Sequence, residues 1–195
     1  IGVTRATKSM DIISHGLYGG VAFGRRSRIS YWLAFFFGIA PDLFSFGLFT
    51  ILTFLGLAEH PDWSSGQHPD PTAIPAFVHS LYNGTHSLVV FAVIFAIVWL
   101  IRKRPLYEML GWPLHILVDI PTHSEKFFPT PFLWPISDFQ IDGHPWSDPR
   151  IFIPNLILLA GLYLWFYVIR PRRMKRLEGD LSPRQGGSRS HEREL

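Results

Sequence analysis

The sequence predicts an all-α fold, a polytopic membrane bundle of four to five helices. Of the 195 residues, 48% are hydrophobic and 15% aromatic, and 17% are charged, against about 25% in soluble domains. Several apolar runs reach the roughly 20 residues that a helix needs to cross a bilayer. Runs of this length favour helices over the shorter strands of a membrane barrel. Residues 1–170 are predicted to form the helical membrane domain, and residues 171–195 a disordered, basic, cytoplasmic tail.

The membrane helices are predicted from the apolar runs in chain order. The first run is short and glycine-rich, which suits a span, a re-entrant helix or an interfacial helix. The second is interrupted near its middle by Pro41-Asp42, and the last carries no charge within it. The five runs are residues 10–24, 30–57, 76–101, 106–120 and 151–169.

The orientation of these helices follows from three basic clusters at residues 25–28, 102–104 and 170–176. Positively charged residues beside membrane helices favour the cytoplasmic side. We therefore predict a multi-pass protein of the cell (inner) membrane with a cytoplasmic C-terminus, and loops 58–75 and 123–150 outside. The net charge of +3 comes from clusters that border apolar runs, so the lipid bilayer is the expected partner and nucleic acid is not.

The segment G-W-P-L-H-I-L-V-D-I-P-T-H at residues 111–123 places ionisable groups in an apolar context. His115 and Asp119 are spaced i, i+4, which puts both on one helix face. His123 continues this register, although Pro121 is expected to end or bend the helix before it. A structural His–Asp pair is the simplest alternative. In a membrane, however, a charge near the bilayer centre costs about 2.5 to 3.5 kcal/mol and usually marks a functional site.

Other polar residues of the apolar runs are expected at a similar depth. His15, Asp42 and His86 join His115 and Asp119 when depth is counted from the nearest cytoplasmic Arg. At about 1.5 Å per helical residue, all five fall roughly 15 to 24 Å into the membrane. Because these five residues are expected in one layer of the membrane, we predict that they form one common site. The His and Asp residues of loop 58–75 are interpreted instead as part of a solvated, proline-rich loop.

A set of imidazoles and carboxylates suits a divalent metal, Zn²⁺ or Mn²⁺ above others, with one or two ions bound. The chain has no Cys, which excludes thiolate ligands and a Cys nucleophile. Metal-activated water attacking a phosphoryl or acyl centre is the expected chemistry, with His115 and Asp119 as the catalytic residues. The predicted metal ligands are His15, Asp42, His86, His115, Asp119 and His123.

Five motifs follow one another along the chain: His15, Pro41-Asp42, G-T-H-S-L from Gly84, H-I-L-V-D-x-x-T from His115 and L-W-P from Leu133. Together, in this order, they resemble the YdjM family of membrane-bound metal-dependent hydrolases. The resemblance covers roughly residues 10–135 and implies an inner-membrane protein with metal-dependent hydrolase activity. The H-x-x-x-D spacing is also similar to that of zinc-dependent phospholipases C and nucleases, which favours a phosphoester or lipid-linked substrate.

The sequence departs from the family pattern at two places. Phe44 replaces the second acid of P-D-x-D, and Tyr82-Asn83 replaces a His-Arg pair. These changes remove a possible metal ligand and a possible phosphate clamp.

Two other function classes remain open. A metal-ion or proton transporter would use the same intramembrane His/Asp cluster, but polar groups strung across the membrane and an inverted repeat are not apparent. A non-catalytic membrane scaffold would leave the clustered acids unexplained.

Overall fold

The computed structural model describes residues 7–59, 74–125, 128–172 and 174 of the chain. Most of the polar loop predicted at 58–75 and most of the predicted tail lie outside these residues. Regular structure within the described part is helical, as predicted. The α-helices are α1 (Thr7–Phe23), α2 (Arg28–Asp42), α3 (Leu48–Phe54), α4 (Ala76–Thr85), α5 (Leu88–Arg102), α6 (Gly111–Asp119) and α7 (Pro149–Tyr163). The other helical elements are two π-helical segments, Leu43–Gly47 and Leu164–Ile169, and one 3-10 helix, Tyr107–Leu110.

The chain divides into two compact units, residues 1–159 and residues 160–195. All of the residues predicted to form the metal site lie in the first unit. In the second unit, the rings of Tyr163 and Tyr167 stack with centroids 5.5 Å apart.

Two helical stretches are long and apolar enough to cross a membrane, Arg28–Phe54 and Pro149–Arg172. A third crossing exists if the bent pair Ala76–Thr85 and Leu88–Arg102 counts as one span. Large apolar side chains on these helices are exposed, such as Phe54 and Ile101, as expected for surfaces that face lipid. The helical membrane architecture is thus supported, whereas a bundle of four to five spans is not confirmed.

Helices α1, α2 and α6 pack with their backbones in near contact, and glycines make this possible. A Cβ atom on Gly19 or Gly111 would lie 2.5 or 2.6 Å from the Ala34 carbonyl oxygen, and one on Gly38 would lie 2.5 Å from the His15 carbonyl oxygen. Small residues at such contacts let membrane helices approach closely. The packing brings together the three helices that carry His15, Asp42 and the pair His115 and Asp119.

We expect Gly111→Ala to destabilise the fold, because the added methyl group meets backbone atoms that cannot move aside. Overpacking of this kind costs about 1–3 kcal/mol. Gly84→Ala is the matched control, since no atom lies within 4 Å of a Cβ at that position and Ala favours a helix. Thermal unfolding in detergent should show a lower midpoint for Gly111→Ala alone. Equal midpoints for the two variants would refute the close-packing argument.

The span predicted over residues 76–101 consists of two helices with a break between them. Helices α4 and α5 meet at an angle of 62°. Ser87 begins α5 as its N-cap, because its Oγ accepts hydrogen bonds from the amides of Val89 and Val90, both at 3.1 Å. Serine is among the preferred N-cap residues. The break leaves His86 between the two helices.

The span predicted over residues 106–120 is the 3-10 helix Tyr107–Leu110 followed by α6, which has nine residues. Nine α-helical residues extend about 14 Å, less than half of the roughly 30 Å hydrocarbon core. Helix α6 ends at Asp119, two residues before Pro121, as predicted. The apolar part of α1, Ile12–Phe23, is likewise shorter than a full span.

Pro41 does not interrupt its helix. Helix α2 continues through the π-helical segment Leu43–Gly47 into α3, and the Ser45 hydroxyl donates a 2.9 Å hydrogen bond to the Pro41 carbonyl. Such wide turns inside helices occur often at functional sites. Here the wide turn begins immediately after Asp42.

Candidate metal centre

The structure brings all six predicted metal ligands together, from four separate parts of the fold. His15 lies on α1, Asp42 ends α2, His86 occupies the break between α4 and α5, and α6 with the residue stretch after it supplies the remaining three. The side chains of His15, His86, His115 and Asp119 are buried. Asp42 and His123 are partly exposed, with 15% and 22% of their side-chain surface accessible.

A four-residue group of Asp42, His86, His115 and Asp119 has the geometry of a metal site. Each residue offers one ligand atom, and these atoms all lie within 4.8 Å of one another. Asp119 Oδ2 is 3.0 Å from His115 Nε2 and 3.5 Å from His86 Nε2. Asp42 Oδ1 is 3.3 Å from His86 Nε2. Zinc–ligand bonds of about 2.0–2.2 Å separate ligand atoms by similar distances.

Backbone carbonyl groups orient the two central imidazoles. His115 Nδ1 lies 2.8 Å from the carbonyl oxygen of Gly38, and His86 Nδ1 lies 3.1 Å from that of Tyr82. A carbonyl accepts but cannot donate, so each Nδ1 carries the proton. In the neutral form of each ring, Nε2 then presents a lone pair to the carboxylates, which is the arrangement seen for metal-bound histidines.

This arrangement brings the lone pairs of two imidazole nitrogens and two carboxylates close together in a buried place. With both Nδ1 atoms protonated, neutral His86 and His115 have no proton between their Nε2 atoms, which are 3.1 Å apart. The Asp42 and Asp119 carboxylates face the same two nitrogens. Burying several acceptor atoms without a donor is costly, and a divalent cation satisfies all four at once. Two nitrogen and two oxygen donors suit Zn²⁺ or Mn²⁺, so the residues present fit a metal ion.

Asp119 contacts all four of the histidines among the six predicted ligands, which together are called the cluster below. Besides His86 and His115, its carboxylate contacts His15 Nε2 at 3.0 Å and His123 Nδ1 at 3.5 Å, both through Oδ1. A structural pair between His115 and Asp119 would need one imidazole beside the carboxylate. The buried Asp119 carboxylate has four imidazoles around it, so a simple pair does not account for the arrangement.

Tyr82 supports the site and was not identified as a functional residue from the sequence. Its ring stacks on the His86 ring with centroids 3.8 Å apart, and its hydroxyl donates a 2.9 Å hydrogen bond to the carbonyl of Phe128. The i, i+4 spacing of Tyr82 and His86 was the available signal. The residue interpreted as a lost His thus helps to hold a metal ligand in place.

Trp112 and Gly38 were also missed. The Trp112 indole nitrogen donates a 2.6 Å hydrogen bond to the carbonyl of Thr85, which ties α6 to the end of α4 beside His86. Gly38 contributes only a backbone carbonyl, so no side-chain pattern in the sequence identifies it. His79, by contrast, stacks on Phe128 with centroids 4.6 Å apart and does not belong to the four-residue group.

The segment after α6 folds back over the end of that helix. The amide of Gly143 donates to the carbonyl of His123 at 2.7 Å, and that of His144 donates to the carbonyl of Pro121 at 2.9 Å. Further along this loop, Trp146 packs edge to face with His15 at a centroid distance of 5.5 Å. The loop therefore covers the His15 side of the cluster.

A second part of the same loop occupies the helix break. The amide of Leu88 donates to the carbonyl of Phe132 at 3.0 Å, and the Ser87 hydroxyl donates to the carbonyl of Trp134. These bonds hold the residues beside His86 in place.

Comparisons with protein families, with curated proteins and with solved structures found no match for this chain. The resemblance to the YdjM family therefore rests on the sequence motifs alone and stays a prediction.

Proposed function

We propose that this protein is a metal-dependent membrane hydrolase. The observation that carries the proposal is the convergence of Asp42, His86, His115 and Asp119, whose ligand atoms lie within 4.8 Å of one another. Ionisable groups inside membrane helices are costly and generally functional. The YdjM-like motifs point to the same activity.

A bound divalent ion would supply Lewis acidity and lower the pKa of a coordinated water towards neutrality. The chain's own residues hold the ion and limit access to it. His86 and His115 offer Nε2, with their tautomers set by backbone carbonyls, and Asp42 and Asp119 compensate the positive charge. Burial of most of the cluster keeps bulk water away from the reacting centre, which strengthens electrostatic interactions there.

A phosphoester or lipid-linked substrate is the class we propose. Asp42 is the partly exposed member of the four-residue group, and it lies within the helical stretch Arg28–Phe54, which is long and apolar enough to cross a membrane. The neighbouring side chains of Leu43 and Phe44 are 39% and 51% exposed, which places apolar surface beside the ligand. A substrate with an acyl or polyprenyl chain can contact this apolar surface, whereas a fully polar substrate cannot.

For localisation, we propose a multi-pass inner-membrane protein with its basic clusters and C-terminus in the cytoplasm. The support is the set of two to three apolar helices of membrane-spanning length and the distribution of Arg and Lys in the sequence.

The proposal is tested by screening the purified protein in detergent against phosphomonoesters, phosphodiesters and lipid-linked phosphates. We expect hydrolysis of at least one class, loss of that activity with a chelator, and recovery with Zn²⁺ or Mn²⁺. Metal-bound protein that hydrolyses none of these classes would contradict the proposal.

One observation favours transport of a metal ion or protons as the second candidate function. The helix break at His86 resembles the discontinuous helices that form ion sites near the membrane midplane in transporters. Flux of Zn²⁺, Mn²⁺ or protons into proteoliposomes, together with no hydrolysis, would decide for transport.

A further inference from the structure

The two oxygens of the Asp119 carboxylate face different pairs of histidines. Oδ2 lies 3.0 Å from His115 Nε2 and 3.5 Å from His86 Nε2, whereas Oδ1 lies 3.0 Å from His15 Nε2 and 3.5 Å from His123 Nδ1. Asp42 joins the Oδ2 side, where its Oδ1 is within 3.3 Å of His86 Nε2. The cluster is thus divided into two donor sets that share one carboxylate.

The Oδ2 set already provides four protein ligands, which are enough to hold one ion and leave a position for water when that ion is five- or six-coordinate. His15 and His123 are therefore not needed to complete that coordination sphere. His15 is 1% exposed and its ring lies 4.0 Å from the ring of His115. The first metal site therefore does not explain why the buried His15 imidazole lies against Oδ1 of Asp119.

His123 has the freedom to act as a ligand. Its Nδ1 also lies 3.3 Å from the Asp119 carbonyl oxygen, so binding a metal through Nδ1 requires the proton to sit on Nε2. A partly exposed side chain, with 22% of its surface accessible, permits that tautomer because Nε2–H can reach water or a substrate oxygen.

We propose that the protein binds a second divalent ion through His15 Nε2, Asp119 Oδ1 and His123 Nδ1, with Asp119 bridging the two ions. This inference rests on the proposed metal site of the four-residue group and extends it. Three protein ligands leave an open coordination position, as in catalytic metal sites. The exposed member, His123, locates that open position on the accessible side of the cluster.

A pair of ions narrows the substrate class. In two-metal sites, ions about 3.5–4 Å apart stabilise both the attacking and the leaving oxygen of an in-line displacement, as in many phosphatases and nucleases. The second ion therefore favours a phosphoester over an acyl substrate for the proposed hydrolase.

The test is metal stoichiometry and magnetic coupling of the purified chain loaded with Mn²⁺. Elemental analysis after gel filtration should give two ions per chain, and electron paramagnetic resonance should show the closely spaced hyperfine lines of a spin-coupled pair. His123→Gln should bind one ion and show an uncoupled signal. His144→Gln, a substitution of an exposed histidine in the same loop, should retain two coupled ions.

His15→Gln provides a second variant on the buried side, with circular dichroism to verify that it is folded, and it should also bind one uncoupled ion. One ion per chain in the unmodified protein would overturn the second site and leave the proposed hydrolase intact. Two ions without spin coupling, or coupling that survives in folded His123→Gln and His15→Gln, would likewise overturn it. Failure to bind any ion would overturn both proposals.

Discussion

Asp119→Asn is expected to lower metal affinity and the proposed hydrolytic activity together, each by more than about 100-fold. Loss of a partner that only orients a ligand already costs about 10–100-fold in affinity or activity, and Asp119 is a direct ligand in our interpretation. Asn keeps the size of the side chain but removes its charge and one acceptor oxygen. Elemental analysis and chelator-sensitive activity measure the two effects.

The same variant separates a metal ligand from a structural residue. If Asp119 served only to pair with histidines, Asn would change the stability of the fold and leave the metal content unchanged. Asp138→Asn, on the exposed loop, is the matched control and should retain full metal content. Unchanged metal content in folded Asp119→Asn would refute the metal-site interpretation.

A double variant tests whether Asp119 and His115 act as one unit. His115→Ala alone should reproduce the metal loss. Combined with Asp119→Asn it should add little, since residues that act together are non-additive.

His86→Ala is the second substitution with a large expected effect, again a loss of metal affinity of more than about 100-fold. Its Nε2 lies within 3.5 Å of both Asp42 and Asp119 carboxylates, so its removal takes away one nitrogen donor and leaves the carboxylates facing each other. Titration of the metal-free protein with Zn²⁺ in a calorimeter measures the affinity.

His79→Ala is the internal comparison for His86→Ala. The two histidines are seven residues apart, and both rings stack on an aromatic ring, His79 on Phe128 and His86 on Tyr82. Loss of a stacked ring costs about 0.5–1.5 kcal/mol and should lower the stability of either variant. Metal affinity should fall for His86→Ala only. Equal losses of affinity would mean that stacking, and not ligation, accounts for the effect.

The long apolar helices were predictable because apolar runs are visible directly in the sequence. The break at His86 was not, since Thr85, His86 and Ser87 interrupt the run without any Pro. Only the capping preference of Ser87 marked the point at which α5 begins. The short length of α6 was also missed, because the 3-10 helix Tyr107–Leu110 and α6 read as one apolar segment.

The grouping of the site residues was predicted from their expected depth in a membrane and from the spacing of His115 and Asp119. Depth alone does not tell which carboxylate oxygen faces which imidazole. Nor does it reveal a backbone contact such as the one between His115 Nδ1 and the Gly38 carbonyl. Both depend on the near contact of α1, α2 and α6, in which glycine matters because it lacks a side chain.

The central claim is that Asp42, His86, His115 and Asp119 hold a divalent ion. Anomalous scattering at the zinc absorption edge, measured on crystals of the Zn²⁺-loaded protein, tests it most directly. We expect a peak about 2.0–2.2 Å from His86 Nε2, His115 Nε2 and an oxygen of each carboxylate. A peak only elsewhere, for example at the histidines of loop 58–75, or no peak at full Zn²⁺ occupancy in solution, would contradict the claim.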